Sequence, residues 1–343
     1  MFDYKTAQKE LAQNPRRWLV TGAAGFVGSN ICEKLIGLGQ DVFAVDNLST
    51  GFRANIDFLE NHSTANAANN NKFHFVEGDV REQSLCEHAL EGRQHVLHQA
   101  ALGSVPRSIE DPIRSHDHNV NGFLQMLRAS SQQKDTTFVY ASSSSVYGDS
   151  PLLPKVESHI GAPLSPYAAT KAIDEMYASV FSRTYNIRTT GLRYFNVFGP
   201  RQSPSGAYAA VIPRWVQACL AGVPPEIYGD GETTRDFCFV DNAVQANILA
   251  SVNPPQLASA EVYNVAAEKQ TSLNQLLSFI QKFLSGLRQD YKHLDAKYFD
   301  FRQGDVRHSL ADITKARKQI GYHPQYDVES GLERCIQWYA ENL

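Results

Sequence analysis

The sequence predicts an α/β protein, a Rossmann-type doubly wound parallel sheet followed by a smaller C-terminal α/β substrate region. Three observations predict it. Short β-type runs alternate with helical stretches through the first half of the chain. A glycine-rich turn, Thr21-Gly22-Ala23-Ala24-Gly25-Phe26-Val27-Gly28, joins the first such run to the first helix. After Gly199 the character changes, and loops rich in proline and glycine separate shorter elements. Strand–helix–strand repetition implies right-handed crossovers and a parallel sheet covered on both faces.

Strands are expected at Arg17–Thr21, Asp41–Val45, Lys72–Val76, His95–Gln99, Thr137–Ser142 and Thr189–Tyr194. Helices are expected at Phe26–Leu38, in a shorter stretch after Asp79, at Ile113–Gln132 and at Pro166–Tyr185. The polar, low-complexity stretch Asn61–Asn71 reads as a surface loop. Further helices are expected near Leu273–Leu284, Ile313–Ile320 and Val328–Tyr339. This order suggests a dinucleotide-binding domain in residues 1–199, with an N-terminal extension at 1–15. Residues 200–343 then form mainly the substrate-binding region, with some chain crossing back to the first domain.

Composition narrows the function. The chain has 343 residues, 43% hydrophobic and 20% charged, ample for a large core. A net charge of -4 argues against nucleic-acid or membrane-surface binding, which needs a concentrated basic face. Cys32, Cys86, Cys219, Cys238 and Cys335 lie far apart with no paired spacing, as for reduced core thiols. The histidines form no ligand cluster; His116 and His118 read as surface or structural, and no metal site is implied. No signal peptide or bilayer-spanning stretch is visible, so a cytoplasmic location is expected.

The glycine turn carries the first chemical signal. Gly22, Gly25 and Gly28 allow a tight turn and close approach of backbone to a pyrophosphate, and the helix N-terminus adds N–H groups and positive dipole. Asp46 ends the second strand at the spacing of a ribose-binding acid. A carboxylate there accepts the ribose hydroxyls and repels a 2′-phosphate, which favours NAD over NADP. Asp79-Val80, after the third strand, either meets the adenine or is a plain loop acid.

The second signal is Tyr167 with Lys171, four apart at the start of a predicted helix and so on one face. An ammonium near a phenol favours the phenolate, which makes a general base. Tyr140-Ala141-Ser142-Ser143-Ser144-Ser145-Val146-Tyr147-Gly148 closes the fifth strand and places hydroxyls at a strand C-terminus, where ligands bind in an open sheet. With these motifs and Arg193-Tyr194-Phe195-Asn196-Val197-Phe198-Gly199-Pro200, nearly the whole chain resembles the extended short-chain dehydrogenase/reductase family.

That resemblance implies roles. Tyr167 is the acid/base, Lys171 binds the nicotinamide ribose and tunes Tyr167, and Ser143 orients the sugar hydroxyl, with Ser142, Ser144 and Ser145 close by. Phe26, Val27, Asn47, Ser49, Thr50, Gly51, Gln99, Ala100, Ala101 and Tyr194 complete the site of a tightly bound NAD. Nucleotide-sugar dehydratases of the family carry Thr-Asp-Glu where this chain has Ser143, Ser144 and Ser145, so 4-epimerisation through a transient 4-keto sugar is expected instead.

For the substrate, the resemblance assigns Asn196, Arg235, Arg302 and Asp305 to the diphosphate and ribose, and Ala209 to Pro213 (Ala210, Val211 and Ile212 among them) to the uracil. Tyr228 belongs to the same wall. Arginine's planar fork suits phosphate oxygens. Ser309 is small where a bulky residue would restrict the pocket to a plain hexose. Gly103, Ser104 and Gln202 resemble the motifs of bacterial UDP-N-acetylglucosamine 4-epimerases, as does the N-terminal extension. The expected substrate is therefore UDP-GlcNAc, converted to UDP-GalNAc. The uronic acid form is an alternative, with Arg107 or Arg307 facing its carboxylate, and another nucleotide-sugar epimerase or a dehydratase is a further one. A non-catalytic NAD-binding regulator is remote, because such proteins usually lose the tyrosine or the lysine. Family members commonly dimerise through the Tyr167 helix and the one before it, so a homodimer is expected.

Overall fold

Seven parallel strands form the centre of the computed structural model, which describes residues 3–65, 72–204, 210–301 and 306–343. They are β1 (Arg17–Thr21), β2 (Asp41–Asp46), β3 (Phe73–Glu77), β4 (His95–His98), β5 (Thr137–Ser143), β6 (Arg188–Tyr194) and the later strand Ala260–Val265. Their spatial order is Ala260–Val265, β6, β5, β4, β1, β2, β3, with every neighbouring pair parallel. The order reverses between β1 and β4, and ligands bind at such a switch point, outside the carboxyl ends of the strands.

The helices of the first half are α1 (Tyr4–Gln13), α2 (Phe26–Gly37), α3 (Arg53–Ala65), α4 (Gln83–Leu90), α5 (Val105–Glu110), α6 (Pro112–His116), α7 (Gly122–Ser131) and α8 (Pro166–Tyr185). Strand residues alternate between two cores. Trp18 and Val20 of β1 pack with α2 and the helix Val240–Val252, whereas Leu19 packs with α4, α7 and α8. A third core, around Trp215, Ile227, Leu276, Ile280, Leu332 and Ile336, holds the helices Val211–Leu220, Leu273–Leu287 and Val328–Asn342 together. The N-terminal extension folds as α1, capped by the Asp3 carboxylate and anchored by buried Tyr4, Ala7 and Leu11. Gln40 ties it down: its amide donates to the Leu11 carbonyl at 2.9 Å and accepts from Trp18 Nε1 at 3.2 Å.

Two expectations change. Asn61–Asn71 is not all loop, because α3 runs to Ala65; Asn55, Ile56 and Leu59 bury one of its faces, and Arg53 pairs with Asp57 and Glu60 on the other. Residues 66–71 lie outside the described residues. The helix expected at Ile113–Gln132 is present but interrupted by a π-helical turn, Asp117–Asn121, between α6 and α7. The turn is stapled by Asn119, whose side chain accepts from the Leu102 N–H (2.7 Å) and donates to Thr170 Oγ1 (3.1 Å). No helix among the described residues is long and apolar enough to cross a membrane.

Candidate active site

The glycine turn lies at the switch point, between the ends of β1 and β4. Gly22 has φ +69°, and a Cβ there would fall 2.7 Å from the Ala100 nitrogen. At Gly28 a Cβ would meet the Gly22 carbonyl oxygen at 2.1 Å, so only hydrogen lets α2 start this close to the turn. Gly25 caps α2 without a side chain, leaving the first-turn N–H groups, those of Phe26 and Val27 included, for a ligand.

Asp46, Asn47, Ser49, Thr50, Gly51, Asp79, Val80, Gln99, Ala100 and Ala101 line the same cleft with Gly22 and Gly25. The Asp46 carboxylate accepts from the Ala24 N–H (3.0 Å) and the Leu48 N–H (2.8 Å), and burial raises its pKa against those bonds. Each oxygen keeps a further lone pair for a ribose hydroxyl. Asp79 is held well below the usual carboxylate range by its fork to Arg81 (2.7 and 3.0 Å) and by Asn47 (2.8 Å). Its carboxylate is thus engaged by protein, and it lines the cleft as part of that network. A pyrophosphate cradle with no room for a side chain, beside an acid at the ribose position, fits a dinucleotide.

Tyr194 sits one layer deeper. Its hydroxyl donates to Gln99 Oε1 (2.9 Å) and accepts from Asn247 (2.7 Å), whose Oδ1 accepts from Gln99 (3.0 Å); burial raises its pKa. The closed triangle fixes the Gln99 side chain at the cleft. Leu102 and His118 also line this cleft, and sequence reasoning missed both. His118 is half-buried, and the π turn brings it to the cleft, which a helical period cannot foresee.

Ser143 is the last residue of β5 and caps the single turn Ser144–Tyr147. Its Oγ accepts from the Ser145 N–H (3.1 Å) and the Ser145 hydroxyl (2.9 Å). Ser142 is a correction to the expected substrate contacts. It shares the inward face of Phe138 and Tyr140, is buried, and donates to Glu175 Oε1 at 2.5 Å. Period-two alternation turns it away from the side that Ser143 presents.

α8 carries Tyr167 and Lys171, and it packs on β5 and on the Ser144–Tyr147 turn. Ser165 caps its N-terminus by accepting from the Ala168 N–H (3.1 Å), with Pro166 in the first turn. The Tyr167 N–H donates to Ser108 Oγ (3.0 Å), which ties the first turn of α8 to α5. Ser104 is the N-cap of α5, accepting from the Arg107 N–H at 3.2 Å, and Gly103 precedes it. Lys171 Nζ lies 3.1 Å from Asp174 Oδ2, with both side chains buried. Burial pushes the Asp174 carboxyl up to about 7, against the pull of Lys171.

A second cleft, of about 520 Å³, opens beyond the end of β6, within the size range of small-molecule sites. Asn196, Gln202, Ala210, Val211, Ile212, Tyr228 and Arg235 line it as expected from sequence, and Arg214, Trp215, Phe301 and Arg307 join them. Asn196 has φ +27°, a strained backbone of the kind kept at functional sites. Gln202 donates to the Val197 carbonyl at 3.0 Å. Arg235 Nη1 donates to the Thr234 carbonyl (2.9 Å), and Arg307 pairs with Asp230 (2.6 Å). Tyr228 stacks on Phe299, with centroids 5.4 Å apart. Ser309 is half-buried and donates its N–H to the Thr234 carbonyl (3.1 Å), beside Arg235 but not among the residues lining the cleft. Gly103 and Ser104 line neither cleft. Arg302, Asp305 and Ala209 lie outside the described residues.

The sequence profile of the NAD dependent epimerase/dehydratase family matches residues 18–266. The chain is similar to a putative UDP-glucose 4-epimerase of Methanocaldococcus jannaschii, 37% identical over 326 residues, or 94% of this chain and 98% of that protein. It is also similar to the solved UDP-N-acetylglucosamine 4-epimerase from Methanobrevibacter ruminantium M1 in complex with UDP-N-acetylmuramic acid. That pair has a TM-score of 0.86 and 37% identity, over 96% of this chain and 99% of the other. A variant of UDP-glucuronic acid 4-epimerase from Bacillus cereus, with UDP-4-deoxy-4-fluoro-glucuronic acid and NAD, gives a TM-score of 0.83 at 29% identity. The match covers 95% of this chain and all (100%) of that one.

Proposed function

The chain belongs to the NAD-dependent epimerase/dehydratase family, and on that premise we propose that it interconverts UDP-GlcNAc and UDP-GalNAc. It is a NAD-dependent UDP-sugar 4-epimerase. The observation that carries the reaction type is the strand-end Ser143 beside α8, with Ser144 and Ser145 where elimination of water would need an acid and a base.

Tyr167 takes the proton from O4 of the sugar, and Ser143 hydrogen-bonds that oxygen. NAD, once held by the residues named below, would supply reversible hydride chemistry at C4, with no net redox over a turnover and no need for the cofactor to leave. Gly22, Gly25 and Gly28 would cradle its pyrophosphate, Asp46 its ribose, and Lys171 its nicotinamide ribose. Asn196, Arg235 and Arg302 would hold the diphosphate and Asp305 the ribose, and Ala210, Val211 and Ile212 would pack on the uracil. Anchored at that end, the keto sugar is free to turn before Tyr167 gives the proton back.

The likeness to a UDP-N-acetylglucosamine 4-epimerase supports an acetamido sugar. A second reading, the uronic acid of the same sugar, is favoured by Arg214, a guanidinium at the cleft beyond those assigned to the diphosphate. Comparing kcat/KM for UDP-GlcNAc, its uronic acid and UDP-glucose decides the matter. UDP-GlcNAc is expected to turn over fastest without change of mass, and a clear preference for UDP-glucose would refute the sugar assignment. A homodimer through α5, α6 and α8 is part of the proposal, supported by exposed Ile109, Ile113, Met176 and Val180 on those helices.

A further inference from the structure

We propose that Asp174 is a positioning residue for the reaction: its carboxylate takes one N–H of the buried Lys171 side chain and supplies the counter-charge for that ammonium. The proposal rests on the reading of Tyr167 and Lys171 above and extends it to a residue with no place in that mechanism.

The geometry is specific. Lys171 Nζ and Asp174 Oδ2 are 3.1 Å apart, and their side chains are 4% and 0% exposed. Asp174 Oδ1 has no hydrogen-bond partner among the described residues. A carboxylate sealed in this way is costly unless something uses its charge. A buried ammonium is costly for the same reason, and burial alone drives a lysine toward its neutral form. Each member of the pair therefore makes the charge of the other tolerable. Lys171 has three N–H donors, so the bond to Asp174 leaves two for the ribose and the neighbourhood of Tyr167.

The surrounding ionisable groups do not substitute for Asp174. From β4, His98 bonds Thr21 Oγ1 at 2.8 Å, and burial, helped by Lys171, pushes its pKa down to about 3, so it stays neutral. From β5, Tyr140 is buried and held un-ionised. From β6, Arg193 is spoken for by Glu175 of α8, through two bonds of 2.9 and 2.7 Å, so those charges offset each other. The π turn presents Asn119, which is neutral and bonded to Leu102 and Thr170. Asp174 is the carboxylate in contact with Lys171, and its pKa, pushed up to about 7 by burial, leaves it charged where the lysine most needs a counter-charge.

The test is the pH profile of epimerisation by Asp174→Asn, which keeps the shape and an acceptor but removes the charge. The alkaline limb of kcat/KM is expected to move down by about one pH unit, so that activity falls about tenfold near pH 9 and stays within about twofold of the parent near pH 6. A uniform loss at every pH, or an unmoved limb, overturns the proposal. Should that variant fail to fold, Lys171→Met addresses the same pair through its melting temperature. Stranding Asp174 without its cation raises the folded-state pKa of the carboxyl further above the unfolded value, so stability should fall as pH rises from about 5 to 9, more steeply than in the parent. An identical pH dependence in the two proteins overturns the pairing. This second arm needs no substrate, so it separates failure of the pair from failure of the epimerase reading, which an inactive parent enzyme would reveal.

Discussion

The two clefts are built from different materials. The dinucleotide side is made largely of backbone: Gly22 and Gly28 crowd against carbonyl and amide groups, α2 begins without a side-chain cap, and Asp46 is pinned by two N–H donors. The second cleft is made largely of side chains on short elements. Arg235 comes from a three-residue strand, Tyr228 from another, Gln202 from a loop and Ile212 from the start of a helix. Backbone sites are intolerant of any added atom, whereas side-chain sites lose one contact at a time. A third element, α8, carries Tyr167 and Lys171 and packs on β5 and the Ser144–Tyr147 turn.

That contrast can be broken at its centre first. Tyr167→Phe should reduce epimerisation by about a thousandfold or more, as expected for loss of a positioned acid/base. NAD should stay bound, which is measured on the protein after desalting; retained activity would sink the assignment. Next in size is the backbone cleft. Gly28→Ala places a methyl 2.1 Å from the Gly22 oxygen, and the turn must shift to admit it. A loss of about 2–4 kcal/mol in stability, with NAD released on desalting, is the expected result, read by thermal melting and by the nucleotide content of the denatured protein. Normal NAD retention would show that the turn is looser than its contacts imply. The smallest effect belongs to the side-chain cleft. Arg235→Ala should raise KM for the UDP-sugar by about ten- to a hundredfold, the worth of a charged hydrogen bond of about 1.5–3 kcal/mol, while NAD content and melting temperature hold. A fall in kcat at unchanged KM would instead place Arg235 at the reacting sugar.

Legibility in the sequence follows the same divide. Gly22, Gly25, Gly28 and Asp46 are read from local spacing, because a tight turn between a strand and a helix constrains neighbouring residues directly. Tyr167 and Lys171 are read for the same reason, one helical turn apart. His118 is not, since the π turn Asp117–Asn121 breaks the 3.6-residue period that would locate it, and Leu102 lies in the irregular segment after β4, where no period applies. Ser142 and Ser143 look equivalent as letters. Only the pleat separates them, sending Ser142 to Glu175 and leaving Ser143 at the strand end.

By itself, the sequence determined the alternation of strands and helices, the glycine turn and the Tyr167–Lys171 spacing, because each is set within a few residues. Tertiary structure alone decided that Ala260–Val265 completes the sheet beside β6, that Arg214, Phe301 and Arg307 share a cleft with Asn196, and that Lys171 meets Asp174 out of reach of water. Except for that last pair, these residues are far apart in the chain. Even there the spacing sets only the neighbourhood, and burial between α8 and the sheet makes the contact matter.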